Sequence, residues 1–143
     1  MGYLKRWSVF VITWDESLST GDERTDSQHL VLIDKLNEFD TVISGSNNSD
    51  IRRTAGEVLD FLQFYAAWHF EQEEAIMAKM NCPAALENKQ AHAEFIGAFG
   101  RFYSQWQTAS MDLGLARKTY EQLRDWVVDH ILTIDVKMKD CTQ

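Results

Sequence analysis

The stretch Trp68-His69-Phe70-Glu71-Gln72-Glu73-Glu74 decides how the rest of the chain is read. His69 and Glu73 are four residues apart, a spacing that puts both side chains on one face of an α-helix, one turn apart. The flanking residues say which face. Val58, Leu62 and Tyr65 approach it at three- and four-residue steps, and Ile76 and Met80 leave it the same way. That is the apolar stripe of a core-facing helix. An imidazole and a carboxylate therefore stand where the pattern asks for apolar side chains. A lone carboxylate is costly to bury, so Glu73 is expected to be paired, protonated or bound to a metal. The plainer alternative is a half-exposed pair at the edge of the stripe.

Working outward, this helix is expected over about 51–80. It follows the polar turn 45–50, where Ser49 or Asp50 can cap it, and it stops at Asn81-Cys82-Pro83. An earlier helix is expected over about 22–44, with His29, Leu32, Ile33, Leu36, Phe39 and Ile43 as its stripe. A third is expected over about 84–108, with Asn88, His92, Phe95, Ile96, Phe99, Tyr103 and Trp106. Gly97 and Gly100 inside it lower helix propensity and leave room for close packing. A fourth is expected over about 115–139, on the stripe Leu123, Trp126, Val127, His130, Ile131, Ile134 and Met138. Residues 1–20 have no helical period and read as an extended arm whose Trp7, Phe10, Ile12 and Trp14 need something to bury against. Four long amphipathic helices joined by short turns predict an all-α fold, an antiparallel up-down-up-down four-helix bundle with an N-terminal arm. It makes a single domain over 1–143.

The totals narrow the function. At 143 residues and 45% hydrophobic, the chain can bury a real core. A net charge of −8 argues against nucleic acid and against an anionic membrane surface. Cys82 and Cys141 form neither a metal-ligand spacing nor a disulfide framework, and read as ordinary thiols. The apolar run from Trp7 to Trp14 is too short to span a membrane and has no cleavage site, which leads to the expectation of a cytoplasmic protein without membrane insertion.

There are four histidines, and each expected helix carries one on its apolar stripe: His29, His69, His92 and His130. One such histidine is ordinarily a core residue bonded to a neighbour. Four of four, at depths that agree in an up-down bundle, point to a shared site. Glu73 and Asp135 are the carboxylates nearby. Imidazoles with a few carboxylates inside a bundle suit iron, zinc or manganese, and two carboxylates can each bridge a pair of metals. One difficulty stands out. On an ideal helix His130 and Asp135 point about 140° apart, so Asp135 must reach round or the helix must contain a local wide turn.

These residues resemble hemerythrin, and more closely the bacterial hemerythrins. Trp14-Asp15, Leu18-Ser19, Gly21 and Asp26-Ser27-Gln28-His29 resemble that family's arm and first ligand. His69 to Glu74 is similar to its second-helix motif, and His130-Ile131-Leu132-Thr133-Ile134-Asp135 to its closing pair. The similarity spans roughly 12–138. The resemblance implies reversible O2 binding at a centre of two non-haem irons (Fe2+/Fe3+) joined by an oxo or hydroxo bridge. By position, Glu73 and Asp135 would bridge the irons. His29 and His69 would hold the iron with the open site, and His92 and His130 the other. The implied protein is a monomeric O2 carrier, store or buffer and not an enzyme.

At one place the sequence departs. The family's third helix carries His-x-x-x-His, whereas here Asn88 precedes His92 by four residues. An amide oxygen is a poorer iron ligand than imidazole. Three outcomes are open: Asn88 or a water completes a weakened second site, the second iron is lost readily, or two open positions favour oxidation chemistry. The first is favoured because the other six ligands are retained. Two functional alternatives go with the departure: peroxidase, oxidase or nitric oxide chemistry at the altered centre, and a stand-alone oxygen or redox sensor. A dry pocket for O2 would draw on Tyr65, Trp68, Phe70, Phe95, Trp126, Ile131 and Ile134.

Overall fold

The computed structural model describes residues 12–45, 48–108 and 113–141, so Trp7 and Phe10 of the expected arm lie outside it. Ile12 is buried, and its backbone N–H and C=O both pair with the side-chain amide of Asn37 (2.9 and 3.0 Å). A 3-10 turn, Glu16–Leu18, interrupts the arm and buries Leu18. Gly21 then turns with φ 80°, a left-handed conformation that favours glycine.

Helix α1 runs over Glu23–Ile43. Asp22 caps it by accepting from the Thr25 backbone N–H at 2.9 Å. Asp26 reaches back to Ser19 and to the Thr20 backbone and hydroxyl, each at 2.8 Å, which ties the arm to the first turn and fixes where His29 begins its ascent. Helix α2 covers Asn48–Lys79. It stops in a Schellman turn: Asn81 takes φ 54°, Cys82 N–H donates to Met77 C=O, and Asn81 N–H donates to Ala78 C=O. Helix α3 covers Ala85–Thr108 and helix α4 Leu113–Thr133. Among the described residues there is no strand, and α1 packs on α2 and α4 while α2 also packs on α3. The expected four-helix bundle is what forms.

Two expectations about the helices are corrected. The last helix does not run to 139: it ends at Thr133, and Asp135–Asp140 forms a separate 3-10 helix after Ile134. The reason is the 140° mismatch. Breaking the α-helix is how the chain turns Asp135 inward, and a wide turn is not used. In α3, Ile96 is 43% exposed and lies off the buried stripe. A methyl group added at Gly100 would meet nothing within 4 Å, so that glycine does not serve close helix packing.

The main core joins Leu32, Leu36 and Phe39 of α1 to Leu59, Leu62, Phe99, Tyr120 and Ile131. A second small core of Met77, Cys82, Ala84 and Met138 closes the far end. The two cysteines are not free thiols: Cys82 and Cys141 form a disulfide with Cα atoms 5.4 Å apart. Their 59-residue separation hid the pairing from any reading of spacing. It arises because the C-terminal 3-10 helix folds back under the α2–α3 turn.

Candidate metal centre

Between those two cores, where α2 passes from Leu62 to Met77, the bundle buries seven polar side chains. His29 comes from α1, His69 and Glu73 from α2, Asn88 and His92 from α3, His130 from α4, and Asp135 from the closing 3-10 helix. None is more than 5% exposed. All six expected ligands and Asn88 are therefore brought to one place.

The distances divide them into two groups. Glu73 Oε2 lies 3.1 Å from His29 Nε2 and 3.3 Å from His69 Nε2. Glu73 Oε1 lies 3.1 Å from His92 Nε2. Asp135 does the same from the other side: Oδ2 is 3.2 Å from His29 Nε2, and Oδ1 is 3.1 Å from His130 Nε2. Each carboxylate thus touches both groups, one oxygen to each. The Nε2 atoms of His92 and His130 face each other at 3.2 Å.

Hydrogen bonding leaves part of this cluster unaccounted for. Among the described residues Asp135 Oδ1 is buried without a hydrogen-bond partner, although His130 Nε2 is close. Metal coordination accounts for it better. Ligand atoms on bonds of about 2.1 Å at right angles are about 3.0 Å apart, close to the separations found here. Glu73 with His29 and His69 forms one set of convergent donors, and Glu73 with His92, His130 and Asp135 forms another. The donor chemistry, imidazole and carboxylate, suits iron.

Electrostatics in the metal-free chain fit a charge-balanced cluster. Burial pushes the His29 pKa down, but hydrogen bonds to Asp135 and Glu73 outweigh it and raise it to about 10. Burial would raise Glu73, yet His29, His69 and His92 hold it well below the usual carboxylate range. His92 is raised because Glu73 and Glu74 overcome its burial, whereas burial prevails at His69 and lowers it.

Asn88 does not lie idle. Its Nδ2 donates to Glu73 Oε1 at 2.8 Å and to Met77 Sδ at 3.0 Å. Its Oδ1 lies 2.8 Å from His130 Nε2, on the side of the cluster that holds His92 and His130.

Three supporting residues had no assigned role in the sequence. Gln28 Oε1 lies 2.6 Å from His69 Nδ1, Glu74 Oε2 lies 2.8 Å from His92 Nδ1, and Met77 backs Asn88. The four-residue step from Glu73 to Met77 was a signal for the last; the other two are contacts between helices and leave no local pattern. An apolar cavity of about 30 Å³ adjoins the cluster, touching His29, His69, His130 and Asp135. Phe70, Phe95, Trp126 and Ile131 line it as expected. Tyr65, Trp68 and Ile134 do not, and Trp68 is 46% exposed, its ring tilted 48° against that of Tyr65 outside the cavity. Among the described residues no helix is long and apolar enough to cross a membrane.

Known proteins match this chain over most of its length. The family described as Hemerythrin HHE cation binding domain matches residues 20–141. A bacteriohemerythrin of Methylococcus capsulatus is 26% identical over 132 residues, covering 92% of this chain and 96% of the relative. A myohemerythrin of Sipunculus nudus is 28% identical, covering 88% of this chain and 89% of its own length. The crystal structure of a wild-type hemerythrin superposes with a TM-score of 0.77 at 25% identity, covering 92% of this chain and 97% of that one. The match covers nearly the whole bundle and the clustered imidazoles and carboxylates are those able to hold a metal pair, so the chain belongs to the hemerythrin family, whose cofactor is a pair of non-haem irons.

Proposed function

We propose that this chain binds O2 reversibly, as a carrier, store or buffer, with two irons held by His29, His69, Glu73, His92, His130 and Asp135, and with Asn88 Oδ1 as a weak seventh donor. The observation that carries the reading is the apolar cavity of about 30 Å³ against His29, His69, His130 and Asp135. It has room for a small molecule and no polar lining on its far side that would hold water. When bound, the iron pair supplies the electrons and the coordination position that O2 needs. The protein residues do the rest. Glu73 and Asp135 span the two halves of the site. Gln28 holds the His69 ring with Nε2 turned inward. Phe70, Phe95, Trp126 and Ile131 exclude water, which slows oxidation of the loaded protein.

Asn88 favours one alternative. A weaker donor on the second iron leaves a more exchangeable position, where peroxide or nitric oxide could react. Metal content per chain and the visible spectrum, taken on anaerobically reduced, iron-loaded protein before and after air, separate the two. Two irons and an O2-dependent absorption that reverses on removing O2 support the carrier. One iron, or an irreversible change, sinks it in favour of oxidation chemistry. A cytoplasmic location would expose Cys82 and Cys141 to a reducing thiol pool, and alkylation in intact cells tests that placement.

A further inference from the structure

The four rings of the cluster differ in what their outer nitrogen meets. Among the described residues His29 and His130 have no partner at Nδ1, and His69 meets the neutral amide of Gln28. Among the described residues only His92 meets a carboxylate there, that of Glu74, at 2.8 Å. Glu74 follows Glu73 on α2, and one residue of helix turns it about 100° away from the cluster. It stands half-buried beside a groove of about 450 Å³ between α2 and α3, which His92 and Phe70 also line. Phe70 stacks on the His92 ring with centroids 3.8 Å apart and planes 8° from parallel, so the ring cannot swing away from Glu74 without unstacking.

This asymmetry falls on the half of the site that carries Asn88. We propose that Glu74 is a positioning residue for the second metal. By accepting from Nδ1–H of His92 it fixes the tautomer that turns the Nε2 lone pair inward. It also makes that ring a stronger donor, offsetting the amide that stands at position 88. The inference rests on the reading of the cluster as a two-metal centre. It goes beyond that reading by assigning a function to a side chain that touches no metal. A carboxylate on the outer nitrogen raises ligand basicity, and losing such a partner typically weakens metal binding about 10–100-fold. If Glu74 served only to tie α2 to α3, its removal would lower the stability of the metal-free bundle and leave metal retention unchanged.

The test compares wild type, Glu74→Gln, Asn88→His and the double variant. Gln keeps the hydrogen bond and removes the charge. Each protein is loaded anaerobically with ferrous iron. Iron per chain, the rate of release to a ferrous chelator and the reduction midpoint are measured, and melting of the metal-free proteins controls for folding. The expected result is faster release of one of two irons from Glu74→Gln, by about 10–100-fold, with a more positive midpoint. With His at position 88 the same change should speed release much less. Release from Glu74→Gln within about twofold of wild type, or an equal acceleration in both backgrounds, overturns the assignment and leaves the two-metal reading standing. A wild-type protein that takes up fewer than two irons overturns both.

Discussion

Opening the Cys82–Cys141 bridge is expected to cost the metal-free protein about 4 kcal/mol. The bridge closes a loop of 59 residues. For that length the entropy withheld from the unfolded chain is about 14 cal/mol/K, which gives the 4 kcal/mol at 25 °C. With a urea dependence of roughly 2 kcal/mol/M for a domain of this size, the midpoint should fall by roughly 2 M. The perturbation is Cys82→Ala with Cys141→Ala, and the assay is urea unfolding followed by far-UV circular dichroism in the presence of chelator. Thiol titration of the denatured wild type should find no free thiol before reduction and two after it. The site should feel the change as well, because Asp135 opens the 3-10 helix that Cys141 anchors. Iron should therefore leave the double variant faster even where it remains folded. Two free thiols in the air-purified wild type, or a midpoint shift below about 0.5 M, would refute the argument.

Asn88→His should act in opposite directions on the two forms: the loaded protein gains retention of its second iron, while the metal-free protein melts lower. Its buried bridge to Glu73 and His130 is lost at a cost of about 1–3 kcal/mol, and differential scanning calorimetry with and without iron reads both effects. The metal-free protein should be more stable near pH 6 than near pH 9. His29 is raised from 6.5 to about 10, so its contribution is complete below 6.5 and is lost as pH rises through 10. Glu73 is lowered, so its contribution is present above 4.5 and is lost on acidification. Iron-loaded protein should not share the alkaline decline, since metal and protons compete for the same nitrogens; a metal-free melting temperature that climbs from pH 6 to 9 would contradict this. Gln28→Leu should leave His69 Nδ1 buried without its acceptor, destabilising the fold by about 1–3 kcal/mol and loosening the metal next to the cavity, as thermal melts and chelator release would report.

How much of this was legible in the sequence follows from what helical periodicity can carry. It places side chains on a face, so His29, His69, Glu73, His92 and His130 could be assigned to one interior before any coordinates. Periodicity also marked its own failure: Asp135 did not fit the His130 face, and the chain breaks its helix at that point. What it cannot carry is contact between distant segments. Gln28 meets His69 across 41 residues, Glu74 meets His92 across 18, and Cys82 meets Cys141 across 59. Each pairing depends on how helices are rotated against one another. Trp68 shows the same limit: beside His69 in sequence, it points to solvent, because one residue of helix turns it about 100°.

Asn88 makes physical sense once the metal-free state is considered alongside the loaded one. Two buried carboxylates without metal need compensation, and His29 and His92, both with raised pKa values, supply it. Between Glu73 Oε1 and His130 Nε2 the cluster needs a short group that donates on one side and accepts on the other. An amide does both from a single side chain, at 2.8 Å to each. A neutral imidazole can also donate once and accept once, but its two nitrogens sit on different parts of a rigid ring, and one is then turned away from metal. On the proposed two-metal reading, asparagine at this position favours the metal-free bundle at the expense of the second metal's affinity. That is the balance expected of a centre whose second iron exchanges more readily than its first. Glu74 lies on the outer nitrogen of the one remaining α3 imidazole, where it can restore part of what the amide gives up.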